Sequence, residues 1–258
     1  MTRSRARGSA ATVIIATACV LLFWLVVLPA RVHEAPPATT LTAWDLRSYF
    51  LPKFVFGTDE LLAGRLPTWN RFEFAGIPFL ATSQPAAVYP PKIAAFALLA
   101  PAAALHAFLV AHHLLAIVGM LVLLRGLGLG AVATMSGALY AALAAPLVLS
   151  VYHPSRFASL AWVPLLFAAV EAIGRSGSAL AVAGLGGVVA AQLLAGYPEI
   201  TLDCLALVLV HAAARMPTPM PAARRGNVRH QGGLQDPSTC LAAACTSTSA
   251  RQSSVISG

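Results

Sequence analysis

Six stretches of the sequence are apolar and long enough to cross a lipid bilayer or come close to it: residues 11–29, 103–124, 130–149, 157–173, 178–195 and 199–214. A helix rises 1.5 Å per residue and the hydrocarbon core is about 30 Å thick, so a span needs about 20 residues, with 17–25 the usual range. Backbone groups have no water to bond inside a bilayer, and runs of this kind therefore fold as helices. The last run is short and needs tilt, local thinning or burial among neighbours to cross. These runs predict an all-α, polytopic integral membrane protein of about six transmembrane helices.

Composition agrees, because 58% of the 258 residues are hydrophobic and only 10% are charged, against about 25% charged in soluble domains. The formal charge of +8 raises the question of nucleic acid, whose binding needs Lys and Arg gathered in one patch or stripe. Here they lie scattered between apolar runs. They read as topology signals, and no nucleic-acid partner is expected. Of the four cysteines, Cys19 and Cys204 lie in apolar runs and Cys240 and Cys245 in a polar tail, so no disulfide framework is implied.

The first run follows Arg3, Arg5 and Arg7 and holds no charge. It is longer than a signal-peptide core of about 7–15 residues and lacks a clear small-x-small site before Arg31, so it reads as an uncleaved anchor. With the amino terminus inside, alternation puts Arg125, Arg175 and the Arg215, Arg224, Arg225 group on the cytoplasmic side. Only Arg156 falls outside between the later spans. The expectation is a multi-pass protein of the cell (cytoplasmic) membrane with a cytoplasmic amino terminus and a large first extracytoplasmic loop, residues 30–102.

That loop is rich in punctuation. Asp45-Leu46-Arg47-Ser48-Tyr49-Phe50 has the pattern of an amphipathic piece whose Tyr49, Phe50 and Phe54 lie on the membrane surface. Gly64-Arg65-Leu66-Pro67-Thr68-Trp69-Asn70 and Gly76-Ile77-Pro78 read as turns. The run Ile93 to Ala100, flanked by prolines, is too short to span and predicts a re-entrant or interfacial helix. His106, His112 and His113 share one apolar run, and adjacent histidines do not face one ligand, so they read as packing or interhelical hydrogen-bonding groups. Glu171, near the cytoplasmic end of its run, is expected to snorkel outward. From residue 216 onward, Pro, Arg, Ser, Thr and Gly dominate and the apolar periodicity stops. Residues 216–258 are expected to form a disordered tail, of the kind a truncation or frameshift produces.

The series Asp45, Tyr49-Phe50-Leu51-Pro52, Gly64-Arg65-Leu66-Pro67-Thr68-Trp69-Asn70, Gly76-Ile77-Pro78, Gln84 and Tyr89-Pro90 resembles the first outer loop of bacterial YfhO-type membrane proteins. Leu124-Arg125-Gly126-Leu127-Gly128, Tyr152-His153-Pro154 and Gly196-Tyr197-Pro198 resemble that family too, so the likeness covers roughly residues 11–214. The family belongs with the GT-C glycosyltransferases, which use lipid-linked sugars. Its members are usually longer, so residues 1–215 resemble the amino-terminal, transmembrane portion of such an enzyme. Glu199 stands where an amide more often follows the Gly-x-Pro.

The resemblance implies transfer of a sugar from a polyprenyl-phosphate carrier to an extracytoplasmic acceptor in the cell envelope, with membrane lipid and lipid-linked sugar as partners. Asp45 matches the acidic residue of the first outer loop and is the implied catalytic base or metal contact, although an aspartate before Leu46 also suits a helix cap. Arg71, Lys92, His153 and Arg156 are the implied phosphate ligands, with snorkelling to headgroups the plainer alternative for the cations. Trp69 and Tyr89 are candidates to stack on a sugar ring or to sit in the interfacial aromatic belt. Asn70 and Gln84 complete the implied substrate contacts. Glu199 and Asp203, four apart on a helix starting near Pro198, form a second acidic pair near the outer boundary. The resident cofactor is left open, a divalent cation being compatible with these carboxylates, and so is the oligomeric state. Two rivals stand beside this reading: a transporter or flippase-like protein without covalent chemistry, and an inactive truncated fragment.

Overall fold

The computed structural model describes Ala18, Trp24 and residues 45–215. The expected first span 11–29, apart from those two residues, the loop up to residue 44 and the tail 216–258 therefore lie outside the described residues. Within them the chain is helical, and the β-structure is one isolated antiparallel bridge between Asn70 and Ile77.

A π-helical turn, Leu46–Phe50, runs directly into α1 (Leu51–Leu62). A long irregular loop leads to α2 (Pro90–Leu98), which turns back into α3 (Pro101–Gly126). Then follow α4 (Ala131–Leu143), α5 (Ala145–Leu149) with a 3-10 turn Ser150–Tyr152, α6 (Pro154–Ala161), α7 (Val163–Ser176), α8 (Ala179–Leu194) and α9 (Pro198–Arg215). Proline stands in the first turn of α1, α2, α3, α5, α6, α7 and α9. At the starts of α2, α3, α5, α6 and α9 its missing N–H is one that the helix could not have used and its fixed φ suits the start, whereas Pro52 and Pro164 directly follow preceding helical turns.

Helix α3 is the axis of the bundle. Its buried residues Ala104, Leu105, Phe108, Leu109, His112, Ala116, Ile117 and Leu121 recur at helical spacing, and the helix packs against α2, α4, α6 and α7. Among the described residues, three helical stretches are long and apolar enough to cross a membrane: Pro101–Gly126, Ala131–Tyr152 and Pro154–Ser176. They contain the expected spans 103–124, 130–149 (but for Gly130) and 157–173. The second is interrupted at Ala144, whose backbone is extended, and the third is broken by a turn at Trp162, between α6 and α7. The expected span 178–195 is the 16-residue apolar helix α8. At roughly 24 Å it is shorter than the hydrocarbon core. The expected span 199–214 falls within the 18-residue α9, which carries Glu199, Asp203 and Arg215.

Two local expectations change. Phe50 and Phe54 do not lie on an outer surface: they are 3% and 0% exposed, their rings meeting each other and those of His153, Phe96 and Phe108 edge-on. Glu171 does not snorkel outward, since it is buried and accepts a 3.0 Å bond from His211 Nε2, linking α7 to α9. In both cases a protein neighbour, distant in sequence, replaces the expected membrane surface. The short apolar run before residue 101 is the nine-residue helix α2, as its length and prolines dictate.

The polar ends of the helices sort into two groups. At one end Arg175 Nη1 donates to Gly126 O (2.9 Å), tying the carboxyl end of α7 to that of α3. At the other, the loop 83–89, the α5–α6 junction and the α8–α9 junction meet, and there the candidate site is built.

Candidate functional site

Three segments separated by scores of residues are brought together. Gly196, between α8 and α9, has a φ of +96° that an L side chain rarely adopts. A Cβ there would lie 2.4 Å from Ser83 O and 3.3 Å from Gln84 O and Ala86 N, so only glycine lets the loop and the helix junction touch. Ser155, in the first turn of α6, donates its hydroxyl proton to Gln84 O. The guanidinium of the exposed Arg156 lies 5.9 Å from the centre of the Tyr197 ring. His153, at the α5–α6 junction, meets the Phe50 ring with centroids 5.7 Å apart, and Asp45 lies five residues before Phe50 on the same helical segment.

Beneath this surface runs a hydrogen-bonded chain with a defined proton order. His112 Nδ1 lies 2.7 Å from Phe108 O, a carbonyl that can only accept, so Nδ1 carries the hydrogen. His112 Nε2 is then the acceptor for the Tyr89 hydroxyl at 2.7 Å, and Tyr89 Oη accepts from Trp162 Nε1 at 2.8 Å. Burial pushes the Tyr89 phenol up to about 12, which keeps it a donor at neutral pH. His113 has the opposite tautomer, donating from Nε2 to Ala142 O and accepting from Trp24 Nε1. The two adjacent histidines thus serve different neighbours, in keeping with their reading as interhelical hydrogen-bonding groups.

Lys92 lies behind the same loop, fully buried, and donates to Ala87 O at 3.2 Å. Burial lowers its ammonium from the ordinary lysine value to about 8. Neither Lys92 nor Tyr89, both 0% exposed, presents a side chain to the surface. Gln84 is half-buried, and its carbonyl is engaged with Ser155. Asp45 is half-buried, in helical conformation, and makes no capping hydrogen bond, so the cap reading is not realised. Glu199 and Asp203 are both exposed on α9, Glu199 in its first turn, where the helix dipole favours an anion.

Trp69, Asn70 and Arg71 form a second group. The exposed Trp69 packs its indole over Gly76, and Arg71 reaches over the Phe72 ring at 4.8 Å. Asn70 is buried, its Oδ1 accepting from Phe72 N at 3.0 Å in a side-chain-closed turn. Sequence reading missed the ion pair under this turn, where Lys53 Nζ lies 2.9 Å from Glu73 Oε1 and 3.3 Å from the centre of the Tyr49 ring. The one signal for it was a lysine set among aromatic residues at the start of α1. Among the described residues no group of three His, Cys, Asp or Glu side chains converges as metal ligands would.

Comparison with protein-family models, with curated proteins and with solved structures returned no match.

Proposed function

We propose that this chain is a membrane glycosyltransferase of GT-C type, or a portion of one, that moves a sugar from a polyprenyl-phosphate carrier to an acceptor on the extracytoplasmic side. The observation that carries the reading is the meeting of the 83–89, 153–156 and 196–198 segments at one end of a bundle containing three membrane-length helices. Of the motifs behind the YfhO-type resemblance, those holding Gln84, His153 and Gly196-Tyr197 lie in the segments that meet, whereas Gly126 lies at the other end and Trp69 and Asn70 form a separate group.

In the proposed reaction an acceptor hydroxyl oxygen forms a bond to the anomeric carbon while the bond from that carbon to the phosphate oxygen breaks. The hydroxyl proton passes to the Asp45 carboxylate, and the electron pair of the broken bond leaves with the polyprenyl phosphate. Arg156 faces the leaving phosphate with its planar fork of donors, and His153 adds a further contact. Lys92 and Tyr89, being buried, serve by holding the loop that carries Gln84. Glu199 and Asp203 are further carboxylates toward this end, and a divalent cation is compatible with these acids.

The topology belongs to the same proposal: about six spans in the cell membrane, the amino terminus cytoplasmic, the Arg125 and Arg175 end inside and the motif end outside. A second reading, transport of a lipid-linked or small polar solute, draws on the interruptions at Ala144 and Trp162, since broken helices line many transport sites. Asp45→Asn separates the two. It keeps the side chain's size but removes the proton acceptor, so transfer of labelled sugar from polyprenyl phosphate in reconstituted vesicles is expected to fall about a hundredfold or more. Transfer at the unmutated rate excludes Asp45 as the base.

A further inference from the structure

The pocket beneath the Asn70 turn is lined, apart from Asn70 itself, by residues to which the transferase reading gives no role. It encloses about 350 Å³ and is lined by Ser48, Tyr49, Lys53, Phe56, Asn70 and Glu73, with Pro52 and Phe72 completing the wall. That volume is at the small end of ligand pockets, which run from about 300 to 1,000 Å³.

Its electrostatics narrow the ligand. Lys53 and Glu73 are 2.9 Å apart, with side chains 7% and 22% exposed, so each neutralises the other. A free anion finds no uncompensated cation at Lys53, and a free cation finds no uncompensated carboxylate at Glu73. The polar atoms nevertheless keep capacity. The ammonium has three N–H groups, of which one serves Glu73 while the Tyr49 ring face covers another side. Glu73 Oε2 receives only a long 3.4 Å contact from Asn70 Nδ2, and each carboxylate oxygen has two acceptor sites. A wholly apolar ligand would strip water from these groups and give nothing back. The remaining walls come from Phe56, Phe72 and the part of Tyr49 that Lys53 does not cover. What fits is a small neutral molecule with hydroxyls on its edge and C–H groups on its faces.

We propose that this pocket binds one neutral pyranose ring, its hydroxyls meeting Lys53, Glu73 and Ser48 and its C–H face lying against the aromatic wall. The inference does not rest on the transferase reading, because a pyranose site serves a sugar-binding transporter equally well. A soluble sugar and the headgroup of a glycolipid share this chemistry.

The test uses the full chain in nanodiscs free of glycosidic detergent, with saturation-transfer NMR of methyl β-glucopyranoside, methyl β-galactopyranoside, glucuronate and glucosamine. Two variants accompany it: Ser48→Trp, which crowds the pocket from an exposed lining position, and Tyr49→Leu, which keeps bulk but removes the ring face. At least one neutral glycoside is expected to bind with a Kd on the order of 1 mM, more tightly than either charged sugar, and to weaken at least tenfold in both variants. The variants' unchanged size-exclusion profiles will show that they are folded. Adding a monoglucosyl lipid to the nanodiscs assigns the source: competition points to a headgroup, its absence to a soluble sugar, and both keep the pocket a pyranose site. No saturation transfer to either neutral glycoside, signals unaltered in the two folded variants, or preference for a charged sugar overturns the proposal. Sugar binding without sugar transfer leaves the pocket standing and removes only the transferase reading.

Discussion

Substituting Gly196 by alanine tests whether the α8–α9 junction really rests on the 83–86 loop. Two costs combine. A non-glycine residue held at a φ of +96° is strained by about 1–3 kcal/mol. The new Cβ would also lie 2.4 Å from Ser83 O, a backbone atom that moves only with its loop, which adds about 1–3 kcal/mol of overpacking. Gly64→Ala is the matched control, because Gly64 also has a positive φ (+73°) but nothing lies within 4 Å of its added Cβ. The difference between the two variants therefore isolates the contact, at about 1–3 kcal/mol, or roughly 2–12 °C in Tm for a chain of this size. Thermal unfolding can be followed by thiol-dye labelling of Cys204, which is 4% exposed, in a background where Cys19, Cys240 and Cys245 are serine. Gly196→Ala is expected to unfold well below Gly64→Ala. Equal shifts would refute the contact, and with it the convergence of motifs on which the site is built.

Lys92→Met gives a pH-dependent prediction, since burial lowers the folded-state value from 10.5 to about 8, a difference worth about 3 kcal/mol. Below pH 8 the lysine is charged in both states and the penalty is complete; between about 8 and 10.5 the unfolded chain holds the extra proton, so stability rises with pH and then levels off. The methionine variant, after losing the bond to Ala87 O, is expected to be more stable by about 1–3 kcal/mol at pH 7 and to lack that rise in Tm scans from pH 7 to 10.5. A rise retained in the variant would assign it elsewhere. Single cysteines at Ser83 and Ser176, both exposed, stand at opposite ends of the bundle. An impermeant thiol reagent applied to intact cells is expected to label the first and spare the second, and the reverse pattern would invert the topology.

The sequence spoke most clearly where one physical requirement acts alone. Apolar runs of bilayer length and helix-opening prolines located α2, α3 and the stretches on either side of residue 153, because backbone satisfaction and a fixed φ leave little choice. It spoke less clearly where a side chain could choose between lipid and protein. Phe50 and Phe54 have the pattern of a membrane-facing edge, yet the same pattern serves a helix buried against Phe108. Trp69 and Tyr89 read alike, but one is 57% exposed while the other holds His112 and Trp162 from a fully buried position. The Lys53–Glu73 and Glu171–His211 pairs join residues 20 and 40 positions apart, and no local periodicity announces such contacts.

The central claim is tested most directly by following both halves of a polyprenyl-phosphate sugar at once, with label in the sugar and the lipid quantified by mass spectrometry, in vesicles holding the full chain and an acceptor extract. The account predicts that labelled product and free polyprenyl phosphate accumulate in equal amounts, and that Asp45→Asn slows both about a hundredfold. Sugar that stays on its lipid, whether on its original side of the bilayer or carried intact to the other, would contradict it.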